Sequence, residues 1–341
     1  MCFIALHTIA FPGFTVSLAK YRERLESWQI FVYFAAVIVA LCLAWQLPGT
    51  VALAPAIDPL LAFMLFVTFL QVPLTELREA LSNVRFLGAL LTANFIAVPL
   101  LVVVLLPWLP ADPLLRIGVL LVLLTPCIDY VVTFAHLGRA DARPLLASTP
   151  VLLIGQMLLL PIFLGWLLDH TAADLVKWEP FMHAFIWLIA VPLVLAAACQ
   201  AWASRGRPGQ DIVNMLGLLP VPATAAVLFV VVAATTPQLG HALGVVRTVV
   251  PIYVVFAITG PLLGWYVARA WRLPTAQGRA VAFSAATRNS LVVLPLGMAI
   301  PGAVPLIPAV IVAQTLVELI SELVYVKLLP RMGAGPKLAR E

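Results

Sequence analysis

Two short clusters of polar and reactive side chains interrupt long apolar stretches of this 341-residue sequence. The first is the run Thr-Pro-Cys-Ile-Asp at 125–129, and the second is the run Thr-Arg-Asn-Ser at 287–290. The thiol of Cys127 is a ligand for soft, thiophilic centres, whereas the Arg288 guanidinium keeps its charge at any physiological pH. Asp129 adds a carboxylate just beyond the thiol. These residue types predict a binding site for a small polar solute, and they form no nucleophile–base set that would indicate an enzyme.

A pair of carboxylates, Glu318 and Glu322, lies one helical turn apart in the last apolar stretch. Acidic groups inside a membrane are costly, and burial next to a like charge favours their protonated form. Both are predicted as proton-coupling residues, Glu318 near mid-membrane and Glu322 nearer the cytoplasm, where it can reach water. A purely structural carboxylic acid, hydrogen-bonded to a neighbouring helix, remains the alternative for both. Other intramembrane polar groups are expected to join helices: Gln71, Asn94, Gln156 and Gln314.

The composition places these groups in a lipid bilayer. Hydrophobic residues make up 63% of the chain and charged residues only 10%, a balance that soluble domains of this size do not have. The apolar runs are continuous and not alternating, so the spans are helices. The four cysteines show no paired spacing, so no disulfide, metal site or cofactor is expected. The net charge of +5 is attributed to membrane orientation and not to nucleic-acid binding.

The apolar pattern predicts ten membrane spans, each of about 20 residues. They are 28–47, 57–72, 86–106, 114–137, 144–168, 181–203, 211–233, 245–271, 276–300 and 305–329. With a cytoplasmic N-terminus, sixteen Lys and Arg residues fall on the inner side and three on the outer side. The positive-inside rule therefore predicts a multi-pass protein of the plasma (inner) membrane with both termini in the cytoplasm. Residues 1–27 are expected to be a disordered or interfacial extension, and residues 330–341 a cytoplasmic tail.

The sequence also repeats itself at an offset of 162 residues. Residues 125–127 fall on residues 287–289, and Gln156 falls on Glu318. Five spans in each repeat is an odd number, so the second repeat must be inverted. The predicted fold is an all-α polytopic membrane protein with two inverted five-helix repeats, 28–168 and 181–329. Spans 4 and 9 would be crossed and broken, the first because a proline interrupts it.

Residues 127–141 (CIDYVVTFAHLGRAD) resemble the fourth span of the arsenite-efflux permeases, a branch of the bile acid/sodium symporter superfamily. Residues 283–289 (FSAATRN) are similar to their ninth span, and Glu318 stands at the acidic position of their tenth. The resemblance implies a core bundle of spans 3–5 and 8–10 and a panel of spans 1, 2, 6 and 7. It also implies that Cys127 contacts the substrate, with Asn289 at the other break.

The chain departs from the permease pattern at Pro126, Asp129 and Arg288, where the permeases typically carry Arg, a small residue and Asn. A positive charge has thus moved from one break to the other, and Asp129 is its natural partner. Arg288 either forms a structural salt bridge between the crossed helices or acts on the substrate directly. In the sodium-coupled branch, a Glu stands where this chain has Ser284. A serine beside a fixed cation predicts a poor sodium site.

These observations predict a secondary transporter that exports arsenite, or a related small oxyacid, driven by protons. A symporter of an organic anion, attracted by Arg288, is the alternative within the same fold. A receptor on the same scaffold is less favoured, because such a protein would usually add a soluble signalling domain. The expected partners are a small-molecule substrate, the lipid bilayer and the proton as coupling ion.

Overall fold

The computed structural model describes residues 12–71, 82–128, 130–168, 178–238 and 242–333, which fold as helices with no strand among them. Continuous apolar runs account for the long helices, two of which continue through internal prolines, and short 3₁₀ and π segments join some of the helices. The helices are α1 (Pro12–Gln46), α2 (Ile57–Phe69), α3 (Val84–Thr92), α4 (Val98–Leu105), α5 (Pro113–Leu123), α6 (Tyr130–Leu137), α7 (Ala142–Leu167), α8 (Trp178–Phe185), α9 (Val191–Ala203), α10 (Arg207–Leu216), α11 (Pro220–Thr235), α12 (Ala242–Ala270), α13 (Thr275–Ala286), α14 (Ser290–Met298) and α15 (Leu306–Leu328).

Seven helical runs in this part of the chain are long and apolar enough to cross a membrane, and the bent pair α10–α11 makes up to eight. The seven are Ser27–Gln46, Gly49–Phe69, Val84–Trp108, Ala142–Leu167, Ile186–Ala203, Arg247–Ala270 and Leu306–Arg331. Large apolar side chains point outward from them, such as Trp45 at 90% exposure and Trp166 at 78%. An outer surface of this kind is stable only in lipid, so the protein is an all-α, multi-pass membrane protein.

Two boundaries differ from the sequence prediction. Helix α1 is described from Pro12, and residues 12–27 continue without a break into the first candidate span, so this part of the predicted extension is helical, and an interfacial position for it stays a prediction. Proline suits the first turn of a helix, and Gly13, which follows it, does not interrupt the helix. The predicted span 211–233 is in fact the pair α10–α11, bent by 40°. The bend falls before Pro220. Proline has no backbone N–H, so Pro220 cannot donate the hydrogen bond that would continue α10.

The predicted interruptions of the apolar runs 114–137 and 276–300 are present in the described residues. The first break, described over residues 124–128, lies between α5 and α6, and the second break, residues 287–289, lies between α13 and α14. Pro126 accounts for the first. The second contains no proline; there Thr287 turns to extended backbone at φ −99° and ψ 128°. Its cause is tertiary, because the two breaks supply hydrogen bonds to each other.

The helices pack in two groups. One contains α1, α2, α9, α10 and α11, and the other contains α5, α12, α13, α14 and α15, with α3, α4, α6 and α7 against it. Both breaks lie inside the second group, where Cys127 and Arg288 are 0% exposed. The fold therefore places two irregular segments of backbone at the centre of a helical bundle, which the bilayer permits only where protein surrounds them.

Candidate functional site

The two breaks cross and pair with each other as a short antiparallel bridge. The Cys127 N–H donates to the Thr287 carbonyl over 3.1 Å, and the Asn289 N–H donates to the Thr125 carbonyl over 2.9 Å. Pro126 faces Arg288 at the position of the bridge where the two residues exchange no backbone hydrogen bond; Pro126 has no N–H, and the Arg288 N–H donates to Glu318. The proline therefore breaks its helix without leaving a missing hydrogen bond in the bridge.

The last carbonyls of both half-helices are satisfied in the same way. Thr125 Oγ1 donates to the carbonyl of Leu121 over 2.9 Å, and Thr287 Oγ1 donates to the carbonyl of Phe283 over 2.7 Å. Each threonine thus bonds four residues back and caps the helix that precedes its break. The C-terminal ends of α5 and α13, which carry the negative ends of the helix dipoles, therefore both lie at the crossing.

The Arg288 guanidinium lies at these two negative helix ends. Its Nη2 donates to the Ser284 carbonyl of α13 over 2.5 Å, and its Nη1 lies 3.5 Å from the Leu123 carbonyl of α5. The same Nη2 donates to Asn94 Oδ1 over 2.9 Å, and the guanidinium carbon sits 5.5 Å from the centroid of the Phe256 ring. Neutral oxygens, helix dipoles and an aromatic face together stabilise a cation that burial would otherwise make very costly.

Asn94 does more than the helix-joining role that the sequence predicts. It lies fully buried in a π-helical turn, Ala93–Ala97, between α3 and α4. Its Nδ2 donates to Ser284 Oγ over 2.9 Å and to the Leu90 carbonyl over 3.1 Å, while its Oδ1 accepts from Arg288. Asn94 therefore holds both the guanidinium and the serine that stands at the acidic position of the sodium-coupled branch.

Asp129, the predicted partner of Arg288, lies outside the described residues. Its neighbours are described: Ile128 is buried, and Tyr130 begins α6. The ion pair between Asp129 and Arg288 therefore stays a prediction.

Glu318 reaches the crossing from α15 and accepts three hydrogen bonds. The Arg288 backbone N–H donates to its Oε2 over 2.7 Å, and Gln314 Nε2 donates to the same oxygen over 2.6 Å. The Tyr130 hydroxyl donates to Oε1 in a short hydrogen bond. An ionised carboxylate is an acceptor only, so this set of donors suits the charged form in this conformation.

Tyr130 is a site residue that the sequence analysis misses. Its hydroxyl contacts Glu318 and also lies 3.3 Å from the carbonyl of Arg288, so it links the first break, the second break and α15. The sequence offers one local indication of this role, because a tyrosine with a polar hydroxyl directly follows a break in an apolar run. Its partners are distant in sequence, and no local pattern names them.

Glu322 is buried more deeply than predicted. Its side chain is 0% exposed, whereas the sequence places it where it can reach water. Its Oε1 lies 2.5 Å from Thr287 Oγ1, which has one hydrogen for both this oxygen and the Phe283 carbonyl, and its Oε2 has no hydrogen-bond partner among the described residues. Tyr325, one turn further along α15, is also buried, at 6% exposure. The position of a residue along a helix predicts its depth in the membrane, but the packing of neighbouring helices decides whether water can reach it.

The Cys127 thiol is 0% exposed at the first break. Asn289 is 3% exposed, and its Nδ2 donor has no partner in the part of the chain that the structure describes. The other described cysteines, Cys42 and Cys199, lie at least partly exposed and away from the breaks. A soft ligand and an unused amide donor thus flank the crossing from opposite breaks.

A small polar cavity of about 40 Å³ lies beside Tyr130, between the two helix groups. Amide and hydroxyl side chains line it: Gln29, Tyr33, Thr68, Gln71, Tyr130, Thr133 and Thr224. The Nε2 of Gln29 has no hydrogen-bond partner in the described ranges, although the residue is only 4% exposed. The cavity can hold a solute of a few polar atoms, and Tyr130 separates it from Glu318.

The architecture of broken helices around a buried polar crossing is typical of secondary transporters. The profile of the Sodium Bile acid symporter family matches residues 58–242, more than half of the chain. The chain belongs to this family. No curated protein sequence matches it significantly. The family consists of membrane transporters, so this symporter-family protein is a secondary transporter of a small-molecule substrate and not an enzyme.

The described site residues that the sequence predicts come together in this family member. Cys127, Arg288 and Asn289 meet at the crossing through paired backbone, and Glu318 bonds the backbone of Arg288. Glu322 joins them through the side chain of Thr287. One connected network therefore contains a thiol, a guanidinium, an amide and two carboxylates.

Proposed function

We propose that this symporter-family protein exports arsenite, or a related small oxyacid, in exchange for protons. The proposal depends on the crossing of the two breaks. The Cys127 thiol belongs to the first break, and the Glu318 carboxylate accepts a hydrogen bond from the backbone of the second. Cys127 supplies the ligand that a trivalent arsenic centre prefers. Glu318 supplies a group that can gain and lose a proton.

We propose further that the chain has ten spans in two inverted repeats, 28–168 and 181–329, with both termini in the cytoplasm. Counting α5–α6, α10–α11 and α13–α14 as three broken spans brings the seven unbroken candidates to ten. The 162-residue offset supports the repeats, because it relates the start of α5 to that of α13 and each bridging hydrogen bond to the other. Reporter fusions at Gly240 and Pro208 should localise outside and inside respectively; finding both on one side would contradict ten spans.

Proton loading of Glu318 would change the bonds at both breaks. With the carboxylate ionised, Oε1 accepts from the Tyr130 hydroxyl. A proton added to Oε1 makes that oxygen a hydrogen-bond donor. The Tyr130 hydroxyl oxygen can accept this hydrogen bond only if its own hydrogen points elsewhere. The Arg288 carbonyl, 3.3 Å from the hydroxyl, is the acceptor in reach. The charge of one carboxylate thereby controls a hydrogen bond to the backbone of the crossing.

Arg288 removes the need for a sodium ion in this proposal. Half-helix C-termini and unwound carbonyls are the groups that coordinate coupling cations in transporters with broken helices. Here the guanidinium takes the carbonyls of Leu123 and Ser284 at those ends. A permanent cation in this place disfavours a second one by charge repulsion. The proton is therefore the proposed coupling ion.

The alternative, symport of an organic anion, depends on attraction by Arg288. Both of its Nη atoms already contact protein oxygens, and the residue is 0% exposed. The polar cavity beside Tyr130, at about 40 Å³, also favours a small solute over a sterol-sized one. These two observations favour the oxyacid.

The test is arsenite uptake into everted membrane vesicles, under an imposed proton gradient or an imposed sodium gradient. We expect uptake that a protonophore abolishes and that sodium does not stimulate. Phosphate, bicarbonate and a bile acid serve as competitors. Saturable stimulation by sodium would reject proton coupling, and uptake of a competitor in place of arsenite would reject the substrate.

A further inference from the structure

An apolar groove of about 550 Å³ runs along the outer face of the bundle, between α3–α4 and α7. Phe95, Ile96 and Ile154 line its length, and Trp271 closes one end. Ile96 and Ile154 are 57% and 49% exposed, so the groove opens sideways to the surrounding medium. In a membrane that medium is the lipid hydrocarbon, and a groove of this shape accepts an acyl chain.

Two glycines keep the groove open. A Cβ on Gly88 would lie 2.6 Å from the Trp271 ring, and a Cβ on Gly155 would lie 2.8 Å from the Phe95 ring. Without those side chains, each aromatic ring lies directly against helix backbone and leaves a channel beside it. The groove is thus built by close packing and not by a gap between loosely packed helices.

A second cavity, of about 500 Å³, adjoins the groove at the Trp271 end. Two exposed arginines line it, Arg85 in the first turn of α3 and Arg272 just after α12, together with Val84 and Ala270. No acidic residue belongs to this lining. Arg272 is held there by a left-handed backbone conformation, φ 55°, which few non-glycine residues adopt. Two cations therefore stand at the mouth of an apolar groove, with an indole between them and the groove.

We propose that the two cavities form one binding site for an anionic phospholipid. The phosphate group lies between Arg85 and Arg272, the Trp271 indole lies at the level of the glycerol, and one acyl chain follows the groove past Ile154. Basic pockets beside membrane helices bind anionic head groups, and tryptophan prefers the boundary between head groups and hydrocarbon. The groove alone would accept any lipid tail, whereas the paired arginines select a negative head group. This site is independent of the transported solute.

The test uses the purified full-length protein in detergent, incubated with phosphatidylglycerol or with phosphatidylcholine of the same acyl chains. Native mass spectrometry measures the retained lipid. We expect retention of phosphatidylglycerol over phosphatidylcholine, and the double variant R85Q/R272Q should lose about thirtyfold in affinity for phosphatidylglycerol. The matched control is R205Q/R331Q, which removes two exposed arginines outside both cavities.

A second variant, Ile154→Trp, narrows the groove at an exposed position where it should not disturb folding. It should weaken binding of both lipids. Wild-type retention of phosphatidylglycerol by R85Q/R272Q would overturn the proposal, as would equal binding of the two lipids to the unaltered protein. A lipid-free dimer that dissociates in R85Q/R272Q would overturn it too, because the occupant would then be a second copy of the chain.

Discussion

The two breaks have nearly the same backbone and very different side chains. Each donates one N–H to the other, and each begins with a threonine that caps its half-helix. At matching positions, however, the first carries Pro126 and Cys127, and the second carries Arg288 and Asn289. The symmetric part satisfies buried backbone, which any crossing in a membrane requires. The asymmetric part holds a soft ligand on one side and a fixed cation on the other, and that difference suits one specific solute.

The helices α7 and α15 show a similar difference between the two halves of the chain. Gln156 of α7 stands at the position that matches Glu318 of α15. Neither polar atom of the Gln156 side chain has a hydrogen-bond partner among the described residues, whereas Glu318 accepts three hydrogen bonds. A titratable group therefore approaches the crossing from the second repeat, and only a neutral amide occupies the same place in the first. Proton coupling, if it acts at the crossing, acts through the second half of the molecule.

The largest effect should come from removing the fixed cation at the second break. Arg288→Ala leaves Asn94 and two helix ends without their donor, so we expect a loss of about 3 kcal/mol or more of stability. Thermal unfolding in detergent measures it, with exposed Arg205→Ala as control. If Asp129 pairs with Arg288, the double variant with Asp129→Ala should be less damaged than either single variant. Additive losses would exclude that ion pair.

Next in size is the soft ligand at the first break. Cys127→Ser should abolish arsenite transport while leaving insertion and thermal stability nearly unchanged, because a hydroxyl replaces the thiol in a small buried space. Cys42→Ser, at an exposed cysteine, is the control. Transport at the normal rate in Cys127→Ser would reduce this thiol to a packing residue.

The carboxylate contrast leads to the third prediction. Glu318→Gln should keep substrate binding and equilibrium exchange in proteoliposomes but lose proton-driven accumulation, since an amide cannot carry a proton through the cycle. Glu322→Gln should be milder, because Glu322 accepts one hydrogen bond from a side chain of the second break and none from its backbone. If Glu318→Gln still accumulates substrate against a gradient, Glu318 only joins helices.

The smallest effect is expected for the hydroxyl that links both breaks to α15. Tyr130→Phe removes one hydrogen bond to Glu318, a bond to a charged group worth about 1.5–3 kcal/mol. Proton-driven transport should slow by about tenfold, and exchange should change less. Tyr266→Phe, at a residue 70% exposed, is the matched control. Equal slowing of exchange and driven transport would assign Tyr130 to the permeation path and not to coupling.

Much of the site was predictable because local chemistry dictates it. Pro126 ends its helix early because it removes a backbone donor, and the length of the apolar runs requires lipid. The shared offset of 162 residues pairs the two breaks in the sequence, and the bridging hydrogen bonds follow the same offset. Residue type and depth indicate Arg288 and Glu318, whereas Cys127 is indicated by its place at the break together with the resemblance to the arsenite-efflux permeases.

The sequence by itself therefore determined the membrane class, the break at Pro126 and the residues that carry charge or sulfur. Only the tertiary structure decided what touches them. Tyr130 and Glu318 are 188 residues apart, and Asn94 and Arg288 are 194 residues apart. The burial of Glu322 and the break at Thr287 also came from packing. Helix periodicity and breakers act over a few residues, whereas the neighbours of a buried side chain are set by how distant helices pack.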